Sequence, residues 1–357
     1  MINQIISLSK KLIATPSTQE NKKELKQVLE VAKKELEGFT IEEFEKDGVP
    51  SLLAYYGKTR PKRFKVILNA HLDVVPGPDR MFEPVVKNNR IYGRGAYDMK
   101  AAATTELLVF KEMARKVRYP LGLQLVTDEE VGGFNGTKYQ IEKGIRADFV
   151  IAGEPTRFGV NNKAKGIIWI KIKTSGKSAH GAYVWQGTNA ILIMNQILSK
   201  LIKLFPIPKK NAWKTTVNIA RIETSNQTFN KVPDDCSVLL DIRYRPEDKD
   251  IVLEKIKKIL PENTTMEVVS FEPPQFTDKK NLYVEALRNS IKRVGGKLAP
   301  VIAKHGGSDI RHFNQVGCDG VTFGPWGLGS HTDSEWVAIR SLSYYYLMLK
   351  DFLTSLE

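Results

Sequence analysis

The chain has 357 residues, 42% of them hydrophobic, which is enough for a well-buried core, and its length favours two domains over one. Its net charge is +14, but the basic residues are spread in short groups such as Lys209-Lys210, Lys255 to Lys258 and Lys279-Lys280, mixed with acids on helical faces. That pattern is a solvated surface able to attract anionic substrates, and it argues against nucleic acid as a partner. No segment approaches the roughly 20 apolar residues of a membrane helix, so no membrane partner is expected. The two cysteines, Cys236 and Cys318, lie outside any CxxC spacing. A reducing, cytoplasmic setting fits, and any metal must rest on His, Asp and Glu.

Ile5, Leu8, Leu12 and Ile13 recur at helical intervals and are interrupted by Lys10 and Lys11, so the segment lacks the unbroken apolar run of a signal peptide and is expected to form an amphipathic surface helix over about 2–14. A second helix is predicted over about 20–37, followed by strand-like SLLAYYG, FKVILNA, LGLQLVT and DFVIAGE. Helices separating such strands predict an α/β domain with a largely parallel sheet covered on both faces, whose chemistry collects at the carboxyl ends of the strands. From about Ala164 the texture changes. GIIWIKIKTSG alternates apolar and charged residues, then come a helix over about 187–204, TTVNIARIET, CSVLLDIRYR, a helix over about 247–260 and TMEVVSFEP. Strand, helix, two strands, helix, strand is the order of a ferredoxin-like α+β unit. After about Phe276 the α/β pattern resumes, with a helix over about 280–294, a strand near VTFGP and a C-terminal helix from about Ser341. The expected organisation is a discontinuous domain, residues 1–163 and 276–357, carrying an insert, residues 164–275.

Five short motifs carry the chemistry. His71 closes an apolar strand in HLD, and Asp73, two residues on, shares its face and can orient the imidazole. Asp98 lies in the glycine-rich GRGAYDMKAA just before a helix, where it can cap that helix or bridge two cations. TDEEVGG follows a strand with adjacent acids, Glu129 and Glu130, which in extended backbone point opposite ways and so divide two jobs, metal ligand and base. Glu154 ends the next strand in GEPT, and His331 lies in the glycine-rich GLGSHTDSEW. Each has a bland alternative, a solvated loop acid or an ordinary loop histidine.

In order and approximate spacing, HLDVVPG, GRGAYDMK, TDEEVGG, AGEPT, GKSAHGAYVWQGTNAI and GSHTDSEWV resemble the co-catalytic zinc family of acetylornithine deacetylase, succinyl-diaminopimelate desuccinylase, glutamate carboxypeptidase and aminoacylase. The resemblance spans about residues 65–340. It implies a zinc-exopeptidase-like catalytic domain with an inserted dimerisation or lid domain. It also implies two divalent ions per subunit, zinc expected and cobalt or manganese able to replace it. His71 and Glu154 would hold one ion, Glu130 and His331 the other, and Asp98 would bridge them, followed by a cis peptide. Glu129 would be the general base, Asp73 the residue orienting His71, and His180, in the insert, would reach the active site of a partner subunit in a homodimer. Asn230 and Arg243 match positions expected to hold the carboxylate of a small-molecule substrate.

The loop His305 to Phe313 resembles a glycine-rich substrate loop without assignable members. Lys165 stands where the family often has arginine, Val184 where it often has proline, and Ala101-Ala102 where glycine commonly follows Asp-Met-Lys. None of these touches a ligand. The resulting expectation is a two-metal hydrolase of an N-acyl amino acid amide bond, with a di- or tripeptidase or glutamate carboxypeptidase as the alternative reaction. A non-catalytic binding protein on the same fold is the alternative of another class.

Overall fold

The computed structural model describes residues 1–357. Two compact units emerge, Met1–Lys163 with Phe276–Ala303 and Ser308–Glu357, and Ala164–Gln275 with Lys304–Gly307. The four residues Lys304–Gly307 thus group with the second unit, which the sequence did not suggest.

The first unit is built on a mixed, mostly parallel sheet. Its centre is four parallel strands in the order Leu121–Val126, Phe64–His71, Ala147–Ala152 and Asp319–Thr322. From Phe64–His71 the chain first crosses to one neighbour, Leu121–Val126, and then back to the other, Ala147–Ala152, so the order reverses beside His71. Such a reversal opens a crevice at the carboxyl ends of the strands. These strands are rich in apolar residues and buried along almost their whole length because both faces are covered. Val66, Leu68 and Ala70 pack with residues of the helices Ile2–Ile13, Lys100–Met113 and Ile339–Thr354, and Ile67 packs on the other side with Ile141, Ile310 and Phe313. Helix Lys100–Met113 is buried from Lys100 through Phe110, which explains its run of small alanines. Burial lowers the Lys100 ammonium to a pKa of about 7, and its Nζ donates to the Leu12 and Thr15 carbonyls, at 2.9 and 2.7 Å.

Several elements differ from the sequence reading. Val49–Tyr55, expected among the parallel strands, runs antiparallel to both neighbours, Leu121–Val126 and Thr40–Lys46. The cause is the Asp47-Gly48 turn, with φ of 52° and 71°, the two left-handed residues of a tight hairpin. Thr40–Lys46, sequence TIEEFEK, is an edge strand rich in glutamate that its weak β propensity concealed. A small antiparallel sheet, Gly327–Leu328, Trp336–Ala338, Arg90–Tyr92 and Val85–Lys87, was also not foreseen. It matters for the site, because the His331 loop connects its first two strands.

The second unit has one four-stranded antiparallel sheet in the order Thr216–Glu223, Asp235–Tyr244, Gly166–Ser175, Thr264–Glu272. Ile168, Ile170, Ile172, Val238, Leu240 and Ile242 alternate inward against Met194, Ile197 and Leu201 of the helix Ala190–Leu204. That helix starts three residues later than expected because the Asn189 side chain caps it, accepting from Ile191 N at 2.9 Å and Leu192 N at 3.3 Å. The second helix is confined to Val252–Lys257.

Candidate active site

His71 is the last residue of its strand, and Glu154 comes two residues after Ala147–Ala152, so the sheet itself delivers both to the crevice. His71 Nδ1 lies 3.0 Å from the Asp73 carbonyl oxygen and 3.5 Å from its carboxylate. A proton on Nδ1 is held there, which leaves the Nε2 lone pair facing Asp98 Oδ1 at 3.3 Å and Glu154 Oε1 at 3.7 Å. The Asp73 carboxylate does something further. It accepts from the backbone N–H groups of Glu129 and Glu130, at 3.2 and 3.0 Å, and from Gln19 Nε2 at 3.2 Å, tying the His71 strand to the loop that carries both glutamates.

Glu129 and Glu130 open a short 3₁₀ turn, Glu129–Val131, in place of the extended backbone expected. Their side chains still diverge. Glu130 Oε1 lies 3.1 Å from His331 Nε2, which is also 3.4 Å from Asp98 Oδ2. Glu129 joins neither set. Burial, and then the charge of Glu154, push its carboxyl well above the usual range. His331 has φ of +62°, uncommon for a residue with a side chain. The Asp98–Met99 peptide is cis.

Two triads result, His71 with Asp98 and Glu154, and Asp98 with Glu130 and His331; the donor atoms within each lie within 4.8 Å of one another. The two oxygens of Asp98 face one triad each. Ligand bonds of about 2.0–2.1 Å at tetrahedral angles separate donor atoms by about 3.3 Å, and the spacings here, 3.3 and 3.7 Å in one triad and 3.1 and 3.4 Å in the other, match that scale. The electrostatics agree. Burial pushes the His71 imidazolium down, but hydrogen bonds to Asp73 and Asp98 outweigh it; Asp98 and Glu130 raise His331 to about 10. Three clustered carboxylates draw positive charge to both imidazoles, and a divalent cation satisfies the same demand while displacing the protons. The donor set therefore fits two cations sharing Asp98.

Two residues that the sequence reading passed over assemble this arrangement. Glu335, wholly buried, accepts through Oε1 from Tyr97 N and Asp98 N, at 2.9 and 3.0 Å, and through Oε2 from Arg94 Nη1 at 2.9 Å. Arg94 donates in turn to the Thr332 carbonyl at 3.1 Å and the Pro76 carbonyl at 3.3 Å. Both stood inside quoted motifs, Arg94 in GRG and Glu335 four residues after His331. Nothing local signals that they meet across 241 positions of sequence.

His180, Asn230 and Arg243 belong to the second unit. His180 Nδ1 accepts from Ala182 N at 3.0 Å, and the Asn230 carbonyl accepts from Gly181 N at 2.6 Å, so these two are neighbours. Arg243 pairs with Asp241 at 3.0 Å near the far end of strand Asp235–Tyr244. From Asp235 to Arg243 the strand rises by about 26 Å, at about 3.3 Å per residue, and Asn230 lies beyond the Asp235 end. One chain does not bring Asn230 and Arg243 onto the same carboxylate.

Residues 67–355 match the family described as peptidase family M20/M25/M40. The chain belongs to that family. As an M20 protein it is a metal-dependent hydrolase acting on amide or peptide bonds. It is 28% identical to an uncharacterized metallohydrolase of Methanocaldococcus jannaschii over 88% of each chain. A succinyl-diaminopimelate desuccinylase of Nitratiruptor sp. is 27% identical to it, covering 99% of this chain and all of the relative. Among solved structures, the aminopeptidase PepT from Bacillus cereus superposes with a TM-score of 0.81 over 99% of this M20 chain and 98% of its own, at 19% identity, and so shares the fold.

If Glu335 sets the ligand geometry, Glu335→Gln is expected to weaken divalent-metal affinity about 10- to 100-fold, the range for partners of metal ligands. Chelator competition measures it. An affinity equal to that of the parent protein would refute the role.

Proposed function

We propose that this M20 hydrolase is a two-metal deacylase that cleaves the amide bond of an N-acyl amino acid. The observation that carries the reading is Asp98, whose two oxygens face the two triads. His71 and Glu154 would hold one ion and Glu130 and His331 the other. Zinc suits these ligands, with cobalt or manganese as substitutes. When bound, the pair supplies Lewis acidity at the scissile carbonyl and makes water an effective nucleophile at neutral pH.

The chain's own residues do the rest. Glu129 stands on the same turn as Glu130 yet belongs to neither triad, so its carboxylate is available to take a proton from the attacking water and return it to the leaving amine. Asp73 keeps both the His71 tautomer and the Glu129 backbone in place. His180 accepts at Nδ1 from Ala182 N, so its neutral ring carries the proton on Nε2, where it can donate to an oxyanion.

The separation of Asn230 from Arg243 supports a homodimer in which one subunit contributes His180 and Asn230 and the other Arg243, whose planar guanidinium suits a substrate carboxylate. Exposed Tyr183, Val184, Trp185 and Phe229 beside His180 give such an assembly apolar surface to bury. The full-length relative named as a desuccinylase favours a deacylase over a di- or tripeptidase or glutamate carboxypeptidase, whose chemistry would use the same groups. Two free, buried cysteines fit a cytoplasmic setting.

A panel of N-acetyl, N-succinyl and dipeptide substrates, assayed with added zinc, cobalt or manganese, is expected to show fastest turnover on an N-acyl amino acid. Faster turnover of dipeptides would make the enzyme a peptidase, and no turnover on any member would overturn the reading. Glu129→Ala is expected to lower turnover by at least about 10²-fold, within the range for a lost general base, with metal content unchanged. Loss of metal instead would exchange the roles of Glu129 and Glu130. Mixing His180→Ala with Glu129→Ala chains is expected to restore activity in heterodimers. Failure to complement would place the histidine in its own subunit's reaction.

A further inference from the structure

The segment His305 to Phe313, which the sequence left without a role, ends in the short helix Ile310–Asn314, and its residues grip the turn that carries the two glutamates. The Gly132 carbonyl, one residue past Glu129–Val131, accepts from Arg311 Nη2 at 2.6 Å and from His312 Nε2 at 2.8 Å. Two donors on one oxygen satisfy both of its lone pairs. One residue on, Asp309 Oδ1 sits so close that a Cβ on Gly133 would lie 2.0 Å from it, while Asp309 Oδ2 accepts from Thr137 Oγ1 at 2.6 Å. Gly132 and Gly133 have φ of 114° and 65°, so both conformation and space require glycine here. Asp309, Arg311 and His312 are all buried, and Phe134 packs edge-on to the His312 ring at 5.8 Å. Burial, and then the charge of Arg311, lower His312 to about 3, so the ring is neutral at physiological pH and donates its single proton to Gly132.

We infer that Asp309, Arg311 and His312 are positioning residues that lock the Gly132-Gly133 turn and so fix the aim of Glu129 and Glu130. The inference rests on the proposed deacylase reading for what the aim achieves, though not for the lock itself. On one side the turn is held by Asp73, through the N–H groups of Glu129 and Glu130. The 309–312 segment holds it on the other. Asp73 fixes where the backbone enters and the Gly132 carbonyl fixes where it leaves, and between these points the 3₁₀ turn has little freedom. A base must stay within hydrogen-bond reach of the proton it moves, and small displacements of catalytic groups cost rate far more than binding.

Hydrogen exchange of the metal-loaded enzyme separates the lock from the chemistry. His312→Leu removes a donor, His312→Gln keeps one at the Nε2 position, and Arg311→Lys shortens the reach to Gly132. Amides of residues 129–134 are expected to exchange about tenfold faster in His312→Leu and Arg311→Lys, the consequence of one lost hydrogen bond, with His312→Gln near the parent. Amides of the strand Phe64–His71 are expected to be unchanged. Alongside, kcat is expected to fall at least tenfold in His312→Leu with KM within twofold and metal content unchanged, and His312→Gln to recover most of it. Unchanged exchange at 129–134, equal acceleration along the whole chain, or His312→Gln behaving like His312→Leu would each overturn the inference. So would a rise in KM at constant kcat, which would make the segment a substrate contact. If His312→Leu does not fold, Arg311→Lys and His312→Gln decide by the same criteria. Should no substrate be turned over, the deacylase reading falls while the exchange pattern still decides the lock.

Discussion

The buried ion pair between Arg94 and Glu335 is what the site depends on. Removing two charges from water is costly, and such a pair survives only when further hydrogen bonds use the remaining donors and acceptors. Here all but Arg94 Nε, which is buried without a partner, make such bonds, and they do so on three loops at once. Glu335 holds the N–H of Asp98 and sits on the His331 loop, while Arg94 reaches the carbonyls of Thr332 and of Pro76, which follows the His71 strand. Asp98, Glu130 and Glu154 repel one another as carboxylates, and the two imidazoles between them offset only part of that repulsion. The ion pair ties together the loops that carry His71, Asp98 and His331.

A second tier of the same design holds the turn that carries Glu129 and Glu130. Asp73 serves His71 through its carbonyl and the Glu129–Glu130 backbone through its carboxylate, so the histidine and both glutamates are referenced to one residue. The far side of that turn is closed by Arg311 and His312 on Gly132. In both tiers backbone groups are the targets, so the turn is held through its main chain and not through the glutamate side chains.

That the residues of the two triads would cluster was legible because the sheet delivers them to one crevice. His71, Glu130 and Glu154 follow apolar strands whose carboxyl ends open into the crevice, and Asp98 and His331 sit in glycine-rich loops that a buried core would not otherwise require. What was not legible is long-range pairing. Arg94 with Glu335, and Arg311 and His312 with Gly132, are separated by 179 to 241 positions, and polar pairs leave no periodicity for a pattern to reveal. The antiparallel course of Val49–Tyr55 was hidden by reading each strand separately from its turn, although Asp47-Gly48 is a hairpin signal. Asn230 and Arg243 are close in sequence, but a fully extended strand carries them to opposite ends of a sheet.

The central claim is that one carboxylate, Asp98, joins two cations. Its most direct test is a crystal structure of the zinc-loaded protein with anomalous difference density measured at the zinc edge. The account predicts two peaks about 3.5–4 Å apart, the spacing of co-catalytic ions, one beside His71 and Glu154, the other beside Glu130 and His331, with Asp98 between them. A single peak, or a second peak remote from His331, would contradict it.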